Sequence, residues 1–354
     1  MRSIRASASI EETQPGSLEQ GSHLSHNPLL SIQELKTHFH TKNGVAKAVD
    51  GVSADLAYGE TLGIVGESGS GKTMLCLSVM QLVPPPGKIV AGRIFFKDRN
   101  LVGLSEKEFR RIRGKEIGMV FQDPMTSLNP FLTIGEQVAE PLEVHERLSR
   151  RQARGRAVEM LERVGIPDAA ARFNEYPHSF SGGMRQRVMI AMALIANPQL
   201  LIADEPTTAL DVTIQAQVLE LFRKMKDEFG ASILLVTHNL GIVAGMADRV
   251  AVMYAGRVVE YAATEELFSN PRHPYTLALL RAVPRLADSG RELLSIPGGP
   301  PDLAHLPRGC SFYERCSFRE DRCRDEAPPL IQVGNGRLAS CWVDVTAKEG
   351  LCKE

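Results

Sequence analysis

The run Gly66-Glu67-Ser68-Gly69-Ser70-Gly71-Lys72-Thr73 constrains this chain more than any other segment. It matches G-x-x-x-x-G-K-[ST] in full, a pattern whose confirming context is a strand before it and a helix after it. Both are expected here. Thr61-Leu62-Gly63-Ile64-Val65 reads as a short apolar strand, and Thr73 to Leu82 reads as a helix that Pro84-Pro85-Pro86-Gly87 must end. Glycines let backbone N–H groups turn inward around phosphate oxygens, and the helix start adds its positive dipole end. Lys72 then supplies a point charge for the β- and γ-phosphates, and the Thr73 hydroxyl is a ligand for Mg²⁺.

Two further strands carry polar groups at their carboxyl ends. Leu200-Leu201-Ile202-Ala203 runs into Asp204-Glu205, and Ser232–Thr237 runs into His238. Continuous apolar runs suit parallel strands covered on both faces, and ligands of open α/β sheets bind beyond their carboxyl ends. Asp204 is therefore expected to hold Mg²⁺ through its water shell. Glu205 is the expected general base toward water, with His238 beside it. Between these strands Asp211 is placed to cap a helix that Gly230 ends after Phe229.

The remaining patterns complete an α/β reading. Residues 29–62 alternate as half-buried strands, with Asn43-Gly44 as a turn. Ser105 followed by Glu108 is a capping box, Thr133 to Arg172 reads as a helical, polar insertion, and Arg249 to Ala262 reads as a hairpin turning at Ala255-Gly256. Hydrophobic residues make up 43% of the 354, enough for a substantial core. With 41 basic and 42 acidic side chains, the chain lacks the basic excess that marks nucleic-acid binders. No apolar run approaches the ~18 residues of a membrane span. Residues 1–28 read as a disordered tail without the apolar stretch of a secretory signal.

Ser181-Gly182-Gly183-Met184-Arg185-Gln186-Arg187 lies twenty-three residues ahead of Asp204 and opens a second helix with two glycines. Together with the motifs above, it resembles the signature of ABC transporter ATP-binding subunits, and the resemblance covers about residues 30–330. It implies a P-loop, ABC-type nucleotide-binding domain over 29–268 with an antiparallel β subdomain and a helical subdomain at about 123–180. It also implies ATP and Mg²⁺ as ligands and hydrolysis of ATP. Ser181, Gly182 and Gly183 would cap the γ-phosphate held by a facing ATPase subunit in a head-to-tail pair. Gln122 resembles the Q-loop glutamine, which senses Mg²⁺ and the membrane partner. Asp211 resembles the D-loop aspartate, which touches the facing subunit. Phe39 stands where the family stacks an aromatic on adenine, although an aromatic core position is the rival reading. Phe180 and Met184 depart from the usual leucine and glutamine but leave the glycines intact.

His273-Pro274-Tyr275-Thr276 and the cysteines after it narrow the resemblance to dipeptide, oligopeptide and nickel importers, with 269–354 as their C-terminal extension. The implied partners are a second, related ATPase chain, two transmembrane permeases and an extracytoplasmic solute-binding protein. The implied location is peripheral, on the cytoplasmic face of the bacterial inner membrane. A soluble ABC-type ATPase of nucleic-acid repair or ribosome work is the alternative. Cys310, Cys316, Cys323 and Cys341 have five, six and seventeen residues between them. Without C-x-x-C, an ordinary zinc ribbon fits poorly. Four thiolates suit an iron–sulfur cluster, and relatives of this tail carry [4Fe–4S] on such a set. Buried, reduced cysteines are the other reading. Arg308, Arg315, Arg319, Arg322 and Arg324 are interleaved with them and are expected to offset the cluster's negative charge. Cys76, on the phosphate-loop helix, reads as core.

Overall fold

The computed structural model describes residues 28–42, 44–207, 210–282 and 296–345. The expected tail lies outside these residues apart from Pro28, as do Asn43 and Cys352. The strands run β1 (Leu30–Thr41), β2 (Gly44–Leu56), β3 (Thr61–Val65), β4 (Gly87–Phe96), β5 (Arg99–Asn100) and β6 (Ile117–Val120). They continue with β7 (Leu200–Asp204), β8 (Ser232–Thr237), β9 (Arg249–Tyr254), β10 (Arg257–Ala263), β11 (Ile331–Gly334) and β12 (Arg337–Ala339).

Two sheets result. The smaller is antiparallel, in the order β2-β1-β4-β5, and the larger has the order β11-β12-β10-β9-β3-β8-β7-β6. In the larger sheet β3 lies between β8 and β9, parallel to both, and all five of its residues are buried. Side chains leave β3 on both faces. Leu62 and Ile64 join a core with Leu30, Ile32 and Leu75, between the larger sheet and the smaller one. Val65 points the other way, into a core with Val252, Tyr254, Tyr275 and Phe312. Fully burying one such Leu or Ile is worth roughly 1.5–3 kcal/mol, so β3 and the loop that follows it are anchored from two sides.

Most local expectations hold. Ser105 and Glu108 make a reciprocal capping box, and Asp211 accepts from the Ile214 N–H at 3.0 Å to open the helix Val212–Phe229. Gly230 closes that helix at φ 62°, and the hairpin β9–β10 turns at Ala255-Gly256. The insertion is helical at Ile134–Pro141, Arg150–Arg163 and Ala169–Arg172. β4 was not anticipated from the sequence. It pairs antiparallel with β1 from Leu30↔Phe96 to Phe39↔Gly87. The extension beyond residue 269 continues the larger sheet, since β12 pairs with β10 through Glu260↔Ala339 and Tyr261↔Leu338.

Candidate functional site

The phosphate loop leaves the carboxyl end of β3 and enters the helix Lys72–Val79. Gly71 sits at φ 102° as that helix's N-cap, and a Cβ built on it would stand 2.1 Å from the Ala48 carbonyl oxygen. Only glycine fits there. The Lys72 ammonium is buried and donates to the carbonyls of Gly66 at 2.8 Å and Glu67 at 2.9 Å. Burial pulls its pKa below the ordinary lysine value, and the nearby carboxylates of Glu205 and Asp204 oppose that shift.

β7 delivers the acidic pair to the same place. Thr73 Oγ1 donates to Asp204 Oδ1 at 3.2 Å. Burial pushes the Asp204 carboxyl up to about 6, with the charge of Glu205 adding to the effect. Two convergent oxygens, one of them on an acid that burial and Glu205 raise against the opposing pull of Thr73 and Lys72, form a donor set that fits Mg²⁺. Glu205 follows with a left-handed backbone at φ 46°. That turn carries its carboxylate back over the loop, with Oε1 4.0 Å from Lys72 Nζ and Oε2 3.2 Å from His238 Nδ1. Gln122 Nε2 donates to Glu205 Oε2 at 3.2 Å, so this structure sets Gln122 on the general-base candidate.

The other expected residues lie apart from this cluster. Ser181 caps the helix Gly182–Leu194 by accepting from the Met184 N–H at 3.3 Å, and Ser181 and Gly182 are exposed. Asp211 is exposed at the start of its own helix. Phe39 is half-buried on β1, with its ring against Gly87 of β4. Gly66, Ser68, Gly69 and Ser70 lie within the loop.

Glu67, also within the loop, is held by groups from outside it. Its N–H donates to Tyr275 Oη at 2.8 Å, and its carboxylate is gripped by Arg315 at 2.7 and 2.9 Å. Sequence reading missed both partners. The sequence presents Tyr275 only within the His273-Pro274-Tyr275-Thr276 motif of the extension, and Arg315 only as a counter-charge for a cysteine-held cluster.

In the extension Cys310, Cys316, Cys323 and Cys341 line one cavity with His273, Phe312, Phe318 and Trp342. Among the described residues no group of three or more His, Cys, Asp or Glu is gathered as ligands of a metal ion. Burial pushes the thiols of Cys316 and Cys341 up to about 12 and about 11, so thiolates there need a cationic partner. Four of the five interleaved arginines, expected to offset a cluster's negative charge, are engaged by other groups. Arg315 is spent on Glu67, Arg322 pairs with Glu326 at 2.8 Å and stacks on Trp342, and Arg319 and Arg324 lie over the Tyr313 ring. Each is drawn to a nearer carboxylate or aromatic face. Cys76 is fully buried in the core, as expected.

Comparison with known proteins agrees with this geometry. The ABC transporter family matches residues 49–208, and the oligopeptide/dipeptide transporter C-terminal region matches residues 259–323. The oligopeptide transport ATP-binding protein OppD of Bacillus subtilis (strain 168) is 53% identical over 317 residues, 89% of this chain and 88% of the relative. The dipeptide transport ATP-binding protein DppD of the same organism is 52% identical over 316 residues, covering 89% and 94%. Among solved structures, the post-hydrolysis dimer of the ATP-binding cassette MJ0796 bound to ADP and Pi superposes with a TM-score of 0.61 at 29% identity, covering 66% of this chain and 98% of that one. The cbiO1 cassette of Clostridium perfringens gives a TM-score of 0.58 at 30% identity, covering 69% and 92%. A phosphate loop, an acidic pair and a glycine-opened helix on this sheet define an ABC-type ATPase, and the chain belongs to the ABC transporter ATP-binding family. Within it, the chain is an ATP-hydrolysing subunit of the oligopeptide and dipeptide importer branch.

Proposed function

We propose that this chain powers peptide uptake by hydrolysing ATP at a site it shares with a second, related ATPase chain, on the cytoplasmic face of a bacterial inner membrane. The observation that carries the chemistry is the meeting of four strand ends, those of β3, β6, β7 and β8, which sets Glu205 within reach of Lys72, His238 and Gln122 while Asp204 holds Thr73. Gly69, Gly71 and Lys72 cradle the phosphates through backbone N–H groups and the lysine ammonium. Thr73, Asp204 and Gln122 would hold Mg²⁺. When bound, the ion neutralises charge on the β- and γ-phosphates. Glu205 accepts a proton from the attacking water, and His238 orients that carboxylate through the contact at 3.2 Å. Ser181, Gly182 and Gly183 offer their exposed helix start to the nucleotide of the facing subunit, and Asp211 lies at that seam. The dimeric MJ0796 cassette supports this arrangement. Phe39 stacks on the adenine.

The relatives named for oligopeptide and dipeptide transport support two membrane permeases and an extracytoplasmic binding protein as the further partners. Among the described residues no helix is long and apolar enough to cross a membrane, which fits a subunit that drives separate permeases. The four cysteines around one cavity support a [4Fe–4S] cluster that Cys310, Cys316, Cys323 and Cys341 would hold.

Glu205→Gln is the decisive variant. With the facing ATPase and permeases present it binds Mg-ATP as the parent does, while hydrolysis falls about 10²–10⁴-fold, the range for loss of a general base, and labelled peptide no longer enters proteoliposomes. Brisk turnover by this variant removes Glu205 from the role. For the extension, chain purified without oxygen is expected to be brown, and Cys316→Ser colourless. A colourless parent with no bound iron overturns the cluster.

A further inference from the structure

Glu67 is held by protein at every polar group it owns. Tyr275, fully buried on the extension's helix Pro274–Arg281, receives its N–H. Arg315 clamps both carboxylate oxygens. The Glu67 carbonyl in turn accepts the Lys72 ammonium at 2.9 Å. The guanidinium is itself fixed. Its Nε donates to the Pro297 carbonyl at 2.9 Å, Nη1 also reaches Tyr254 Oη at 3.3 Å, and the side chain is 6% exposed. A bidentate pair of this kind sets direction as well as distance. Two residues of the extension, far along the chain, thus hold one of the two loop residues whose carbonyls accept the phosphate-binding lysine.

We propose that Arg315 and Tyr275 are positioning residues for the ATPase reaction, through which the C-terminal extension fixes Glu67 and, by way of its carbonyl, sets Lys72 and the phosphate loop for nucleotide. Arg315 also neutralises the carboxylate that Glu67 adds to the phosphate loop. The inference rests on the assignment of Lys72 as the phosphate-binding lysine. Neither residue touches the reacting atoms, so the effect falls on nucleotide affinity more than on turnover at saturation.

The test measures binding of a fluorescent ATP analogue to the full-length chain, and kcat at saturating ATP in the assembled transporter. Arg315→Ala is expected to weaken binding about tenfold, the scale of one charge-assisted bidentate contact, with kcat changed less than about threefold. Arg315→Lys, which keeps the charge but not the fork, falls between parent and alanine. Glu67→Gln weakens binding on its own, and the double variant is no worse than the poorer single one, because both break the same contact. A purely structural role predicts a lowered Tm with unchanged affinity, and that result overturns the proposal. Additive losses in the double variant also overturn it. Should Arg315→Ala fail to fold, Glu67→Gln carries the test alone, and parental affinity in that variant is a refutation. Lys72→Ala separates this inference from its premise. If that variant binds ATP like the parent, the reading of the loop itself fails, whatever Arg315 does.

Discussion

At Gly71 the phosphate loop is shaped by the absence of a side chain. At Glu67, four residues earlier in the same loop, it is shaped by side chains brought from as far as 248 positions away. The first device is local and built into the backbone. Its glycine takes φ 102°, and any Cβ there would strike the Ala48 carbonyl of β2. The second is remote. An arginine and a tyrosine arrive from an extension that packs on β9 and β10 through Tyr254, Tyr275 and Phe312, with ring centroids 4.6–5.3 Å apart. One loop is thus tied to the core cassette at one end and to the importer-type extension at the other. The difference teaches that the cassette makes the phosphate site, while the extension adjusts how firmly it is held.

Gly71→Ala tests the local device and should give the larger effect. The left-handed backbone alone costs roughly 1–3 kcal/mol for a residue with a Cβ, before the clash with the Ala48 oxygen is added. Because the loop can shed this strain only by leaving its cradle form, ATP affinity is expected to fall by at least about 100-fold, measured by equilibrium binding. The extension keeps its packing. Parental affinity in Gly71→Ala would mean that the backbone cradle does not carry the site.

The contrast also explains what the sequence made legible. The cradle, the acidic pair and His238 were readable because each is a short contiguous run whose chemistry depends on strand ends and helix starts. The caps at Ser105 and Asp211 were readable for the same reason. β4 was not, because Lys88-Ile89-Val90-Ala91-Gly92 alternates poorly and its strand character comes from pairing with β1, from Leu30↔Phe96 to Phe39↔Gly87, far back along the chain. The Arg315–Glu67 pair was invisible in principle. Nothing local to Arg315 points to a loop 248 residues away, whereas cysteines on either side of it suggested a partner close by. Glu67 occupies a position the motif leaves free, so its turn toward Tyr275 had no signal either. Folding supplied the partner that spacing could not.

A smaller effect sharpens the extension's side of the comparison. His273 is fully buried at the start of the helix Pro274–Arg281, where its Nδ1 accepts from the Tyr275 N–H at 3.0 Å. That bond helps aim the tyrosine that holds Glu67. Burial pulls the imidazole from its ordinary 6.5 down to about 3. Between those values the unfolded chain takes up a proton that the folded chain refuses. Its contribution is therefore complete above pH 6.5 and is lost as pH falls, by about 2 kcal/mol at pH 5. Glu260, whose carboxylate accepts from the His273 N–H at 2.9 Å, is raised by burial and works in the opposite sense, since its protonation at low pH relieves a buried charge. Comparing the parent with His273→Asn cancels the Glu260 contribution. Asparagine can still cap the helix, but it does not titrate. The parent's Tm should fall more steeply than the variant's between pH 6.5 and 5, and parallel curves would show that His273 is not the group that makes the extension acid-sensitive.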